Sequence, residues 1–175
     1  EGIAEPSAIN IHAPLHRHLK HAHCVIHTHM PYMTAISQLE DMTIEMTGQA
    51  ALMFENKIAY DYEYNGFADE QNEGDRMAAI MGDKPVLVLG NHGVIVCGET
   101  VAQAFHRLYF LERAARTQLF SMWTGQRRKW VQGAVTSKMR AQAEAWQVKV
   151  QQSESELHFT ALKRLLDKSQ PDYRY

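Results

Sequence analysis

Two apolar runs four residues apart constrain this chain more than anything else in it. Val86-Leu87-Val88-Leu89 and Val94-Ile95-Val96-Cys97 are β-forming throughout, with Gly90-Asn91-His92-Gly93 between them. Unbroken apolar runs of this length, bounded by turn residues, read as buried strands. The short loop joins them as an antiparallel pair with His92 at its apex. A further β-forming run, residues 24–29, carries His27 and His29. Side chains two apart on a strand point to the same face, so these two rings can converge on one object.

Helical patterns surround these strands. Residues 10–19 read as a helix capped by Asn10 with Pro14 in its first turn. Met30-Pro31-Tyr32 opens another that runs to about residue 39. Residues 43–46 fit a short strand, 49–54 a helical turn, and 57–60 a strand followed by an aromatic loop containing Tyr60, Tyr62 and Tyr64. Glu70, Glu73 and Asp75 precede a helix over 77–81, with negative charge at the favourable end. Thr100 and Gln103 have capping-box spacing and start the strongest helix of the chain, which ends near Trp123, before Gly125. Residues 126–136 read as a linker and 137–166 as a helical extension interrupted near Ser153. Sorted this way, the elements give a mixed central sheet flanked by helices, in the α/β or α+β class.

Composition narrows the function. The chain has 175 residues, enough for one domain with a real core. A net charge of -2, with Arg127-Arg128-Lys129 as the one basic triplet, argues against a nucleic-acid binder. That triplet reads as a solvated corner. Cys24 and Cys97 lie in apolar runs and no CxxC occurs, which points to reduced core thiols and away from a thiolate zinc site. No apolar run approaches a membrane span and no signal-peptide pattern is present, so a cytoplasmic protein is expected. The chain starts at Glu1 without a methionine, which suggests a processed or truncated N-terminus.

His27 and His29 need a third partner to make a metal site, and His92 supplies one from its tight loop. Three imidazoles with an open position are the donor set of a catalytic metal ion. His12, His21, His23 and His106 read as packing or surface residues, and Glu63 as a carboxylate without a spacing argument.

His27-Thr28-His29 before a helix, then Leu89-Gly90-Asn91-His92-Gly93-Val94, then a long helix opening Glu99-Thr100-Val101-Ala102-Gln103-Ala104, resemble the class II aldolase/adducin family over residues 3–123. The resemblance implies a three-layer α/β/α domain (1–124) with a mostly antiparallel sheet, its N-terminal part missing, and a C-terminal helical extension (125–175). It implies a homotetramer with a divalent metal, zinc before Fe2+ or Mn2+, on His27, His29 and His92. The implied chemistry is that of a lyase, an aldolase or decarboxylase, which acts on a small hydroxy or keto metabolite through an enediolate stabilised by the ion. Tyr62 is the best positional match to the family's proton-donating tyrosine, with Tyr60 and Tyr64 competing. The family's acid/base glutamate stands four residues before a helix histidine. Matching that histidine to His12 puts Ala8 at the glutamate position, and Ala8 cannot transfer a proton. The family's phosphate-binding loops lie upstream of this segment. Two alternatives to the lyase follow: an adducin-like binding or assembly module, and an Fe(II)-dependent oxygenase.

Overall fold

The computed structural model describes residues 5–66, 71–150 and 153–174. In chain order the elements are α1 (Pro6–His18), β1 (Cys24–Thr28), α2 (Pro31–Ser37), α3 (Gln49–Leu52), β2 (Ile58–Asp61), α4 (Gln71–Met81), β3 (Val86–Leu89), β4 (Gly93–Gly98), α5 (Val101–Trp123), α6 (Gly133–Val150) and α7 (Glu154–Ser169). The strands form one sheet in the order β1-β4-β3-β2. β4 is antiparallel to both β1 and β3, and β2 joins β3 in parallel.

The alternation of the two apolar runs decides the layering. Val86, Val88, Val94 and Val96 point to one face, where they pack with Met33 and Ile36 of α2, Ala51 of α3, and Leu111 and Ala115 of α5. Leu87, Leu89, Ile95 and Cys97 point to the other, against Ile11 and Leu15 of α1 and Met77 and Met81 of α4. Strands buried on both faces need an apolar residue at every position, which is why these runs are unbroken. The result is the three-layer α/β/α arrangement, with α6 and α7 added beyond the sheet.

α1 starts earlier than the sequence suggested. Pro6 occupies its first turn, and the Glu5 carboxylate, not Asn10, caps it by accepting the Ala8 N–H at 2.9 Å. Pro14 therefore lies inside the helix and is buried. It has no N–H to offer the Asn10 carbonyl. That carbonyl lies so close to Gly74 of α4 that a β-carbon there would overlap it, so Gly74 sets the approach of the two helices. The position of Glu70, expected ahead of α4, lies outside the described residues.

Residues 43–46 do not form a strand, because side chains satisfy their backbone instead. The Tyr60 hydroxyl accepts the Ile44 N–H at 3.0 Å. Gln118 of α5 accepts the Glu45 N–H at 2.8 Å and donates to the Thr43 carbonyl at 2.9 Å. The segment after α5 is also held. Arg128 makes a two-pronged ion pair with Glu45, and the Val131 N–H donates to the Met46 carbonyl at 2.9 Å. Arg128 is thus a clamp, where the sequence suggested a solvated corner. α6 begins at Gly133, and Ser153 caps α7 by accepting the Glu156 N–H. α7 returns onto α5, where Phe105 and Phe159 meet edge to face at 5.7 Å.

Candidate metal centre

β1 ends at Thr28, so His27 lies within the strand and His29 one residue beyond it, just before Pro31 starts α2. His92 comes from the loop between β3 and β4. Three backbone bonds shape that loop: Gly90 N–H to the Asp61 carbonyl, Asn91 N–H to the Ser37 carbonyl, and His92 N–H to the Leu89 carbonyl. Asn91 adopts a left-handed φ of 55°, which asparagine tolerates better than most residues. The antiparallel β1–β4 pairing sets His27 opposite Ile95 and brings the loop beside the end of β1.

The three rings meet. Their centroids lie 5.0 Å (His27–His29), 4.9 Å (His27–His92) and 4.7 Å (His29–His92) apart. One ligating nitrogen from each falls within 4.8 Å of the others. His27 Nδ1 lies 3.0 Å from the Val94 carbonyl. A carbonyl only accepts, so Nδ1 carries the proton and Nε2 presents its lone pair. That Nε2 lies 3.3 Å from His29 Nε2. Bonds of about 2.0–2.1 Å at tetrahedral angles give a nitrogen–nitrogen edge of about 3.3–3.4 Å, so this pair has the spacing that a tetrahedral ion requires. The Val94 carbonyl is the oriented outer partner that metal-binding imidazoles commonly have.

The His27 pKa is held down at about 4, chiefly by burial, with the Val94 carbonyl raising it in part and the neighbouring His92, His29 and His12 adding to the lowering. His92 is also lowered, by burial first and then by His29. Both are therefore neutral near pH 7, the state in which imidazole binds metals. Among the described residues the group that meets these distances contains no carboxylate. Ala8 is exposed on α1 and supplies none.

The tyrosines separate by position. Tyr62 is 57% exposed, with its ring 6.4 Å from that of Tyr60. Tyr60 is spent on the Ile44 N–H, and burial raises its pKa to about 12. Tyr64 approaches the cluster, its ring 6.2 Å from His92. His12 is partly buried, its pKa lowered by desolvation and then by His16. His23 pairs with Glu99, and His21 meets the Lys84 carbonyl. His106 lies 3.1 Å from His158, far from the three rings in the fold.

Several supports of the site were not visible in the sequence. Glu112 of α5 accepts the Tyr32 and Met33 N–H groups, each at 2.9 Å, and so caps the helix that follows His29. Arg76 grips the buried Asp61 with two nitrogens and also pairs with Glu73, which steadies the end of β2 under the His92 loop. Gly93 lies against His29 with no room for a side chain. A glycine directly after the loop histidine was the one signal for these contacts.

The geometry agrees with the comparisons. The model of the class II aldolase and adducin N-terminal domain matches residues 1–119. The chain belongs to the class II aldolase and adducin family. A Caulobacter vibrioides protein assigned to aldolase class 2 is 32% identical over 120 residues, which cover 69% of this chain and 46% of that protein. Human gamma-adducin is 32% identical over 109 residues, 62% of this chain and 15% of the adducin. The crystal structure of an aldolase II superfamily protein from Pseudomonas syringae superposes with a TM-score of 0.82 at 28% identity, covering 98% of this chain and 66% of that one. This chain thus spans about half the length of the Caulobacter relative. An L-fuculose 1-phosphate aldolase from Glaciozyma antarctica shares the fold at 19% identity, with a TM-score of 0.72 over 95% of this chain and 61% of that one. No helix among the described residues is long and apolar enough to cross a membrane.

Proposed function

We propose that this chain is the metal-binding core of a carbon–carbon lyase, of the aldolase or decarboxylase type, acting on a small hydroxy or keto metabolite. The observation that carries this reading is the convergence of His27, His29 and His92 without a fourth protein donor among the described residues. A divalent ion held there, zinc in our assignment because the donors are all nitrogen and the edge is tetrahedral, would supply Lewis-acid polarisation of a substrate oxygen and charge stabilisation for an enediolate. His29 is exposed, which leaves the cluster accessible from solvent. The loop after β2 brings the proton donor. Tyr62 matches by position and Tyr64 by its approach to His92, so Tyr62→Phe and Tyr64→Phe must be compared. With Ala8 unable to act, no base is assigned on α1. A homotetramer in the cytoplasm completes the proposal; the free cysteines and the exposed Phe120 and Trp123 support a reduced, self-associating protein.

A second reading, an adducin-like binding or assembly module, is favoured by Ala8 and by the likeness to adducins. Elemental analysis of untagged protein, with His27→Ala and His92→Ala beside wild type, tests the metal. One ion per chain, lost in both variants while circular dichroism keeps the α/β signal, supports the centre, and zinc or iron then chooses between lyase and oxygenase assays. Failure to take up any ion on titration would sink the lyase and leave the binding module. Turnover on hydroxy- and keto-acids separates the two when metal is bound.

A further inference from the structure

A cavity of about 280 Å³ lies at the other end of the sheet. Lys57 just before β2 and Pro85 just before β3 line it, whereas the His92 loop follows the last residue of β3. Four strand residues separate the two ends, about 13 Å. Its apolar wall comes from α3 and its flank, Leu52, Met53 and Phe54, with Met139 of α6. Its polar side holds Lys57, Arg107 and Arg140 against Glu55 and Glu154.

The charges do not balance. Glu55 is committed to Arg140 at 3.3 Å. Arg107, half-buried on α5, spends one nitrogen on the Cys97 carbonyl. Neither Arg107 nor Lys57 has a carboxylate within ion-pair distance among the described residues; Glu99, which pairs with His23, acts on Arg107 only from further off. Desolvation first, and then the Arg107 and Arg140 guanidiniums, pull the Lys57 ammonium below its ordinary value, although the residue as a whole stays exposed at the rim. His106, beside Glu154, is also held below its usual value, chiefly by burial. With it neutral, the lining carries a single net positive charge.

We propose that this cavity binds a small organic monocarboxylate, its head group between Lys57 and Arg107 and its apolar body against Leu52, Met53, Phe54 and Met139. One carboxylate offers the two oxygens that an ammonium and a guanidinium take, and it neutralises the excess charge. A cavity of this size sits near the lower end of small-molecule sites and suits a short chain better than a sugar phosphate.

Calorimetric titration of the metal-free full chain tests this, with hexanoate, hexanamide and inorganic phosphate as probes. Hexanoate is expected to saturate one site per chain, with hexanamide weaker by about tenfold or more. Lys57→Gln is expected to weaken hexanoate by about the same factor and Lys57→Arg to restore it. Lys57 is exposed at the cavity rim, so both variants should fold, and circular dichroism checks that. His92→Ala is expected to leave hexanoate binding unchanged, which separates this site from the metal centre. Absence of saturable hexanoate binding, equal affinity for hexanamide, or indifference to Lys57→Gln would overturn the proposal. Tighter binding of phosphate than hexanoate would overturn the carboxylate assignment.

Discussion

Gly93→Ala joins the sheet and the site in one perturbation. A β-carbon at residue 93 would stand 2.6 Å from the Thr28 carbonyl oxygen and 2.7 Å from His29 Cδ2, both inside the 3.0 Å limit that real β-carbons respect. The oxygen belongs to the backbone of β1 and cannot swing away, so strand or ring must shift by about half an ångström. Overpacking of this kind costs about 1–3 kcal/mol. For a chain of this size that lowers Tm by roughly 3–10 °C. The other contact is with a metal-binding ring, so the ion should be held about 10–100-fold more weakly, as when an outer partner of a ligand is lost. Thermal unfolding of metal-free protein measures the first effect and chelator competition the second. Gly133→Ala is the control: no atom lies within 4 Å of its new carbon, and a change within about 0.5 kcal/mol is expected. Gly93→Ala protein with unchanged Tm and unchanged metal affinity would refute the close-approach argument. Lost stability with intact metal affinity would refute the part that concerns His29.

Glu112→Ala removes both acceptors from the Tyr32 and Met33 N–H groups, and should cost about 2–4 kcal/mol in urea unfolding, with Glu112→Gln retaining part of it. Arg76→Met leaves Asp61 buried without its partner and should cost about 3 kcal/mol at pH 7. Arg76 also holds the Glu73 carboxyl below its ordinary value of 4.5; the stability this contributes is present above about pH 4.5 and lost as pH falls through the lower folded value, so the gap between wild type and Arg76→Met should narrow in acid. Burial pushes the Cys97 thiol up to about 12, and thiolate is the reactive form, so a thiol reagent at pH 8 should leave Cys97 unmodified until urea is added. Rapid labelling of Cys97 in native protein would contradict its place in the core.

The family, the layer order and the three imidazoles were legible because each depends on local pattern. Alternation along 86–89 and 94–97 sets two apolar faces whatever packs on them, and strand spacing alone puts His27 and His29 on one side. Helix α5 announced itself through its cap, since Thr100 does accept the Gln103 N–H. The start of α1 is not legible because Asn10 is an ordinary cap residue and Glu5 a rarer one, and the sequence does not say which side chain will reach an N–H. Residues 43–46 failed as a strand for a similar reason. Their backbone partners are Tyr60 and Gln118, which lie 16 and 73 residues away.

What the chain determined by itself was therefore the set of elements and the donors it could offer. The fold decided how those donors meet. Only the β1–β4 register sets His27 opposite Ile95, and only the contact of α5 with α2 puts Glu112 under the helix after His29. The same holds for the charged cavity, where Lys57 from just before β2, Arg107 of α5 and Arg140 of α6 gather. Periodicity is a property of neighbours along the chain, whereas charge balance and close approach are properties of neighbours in space.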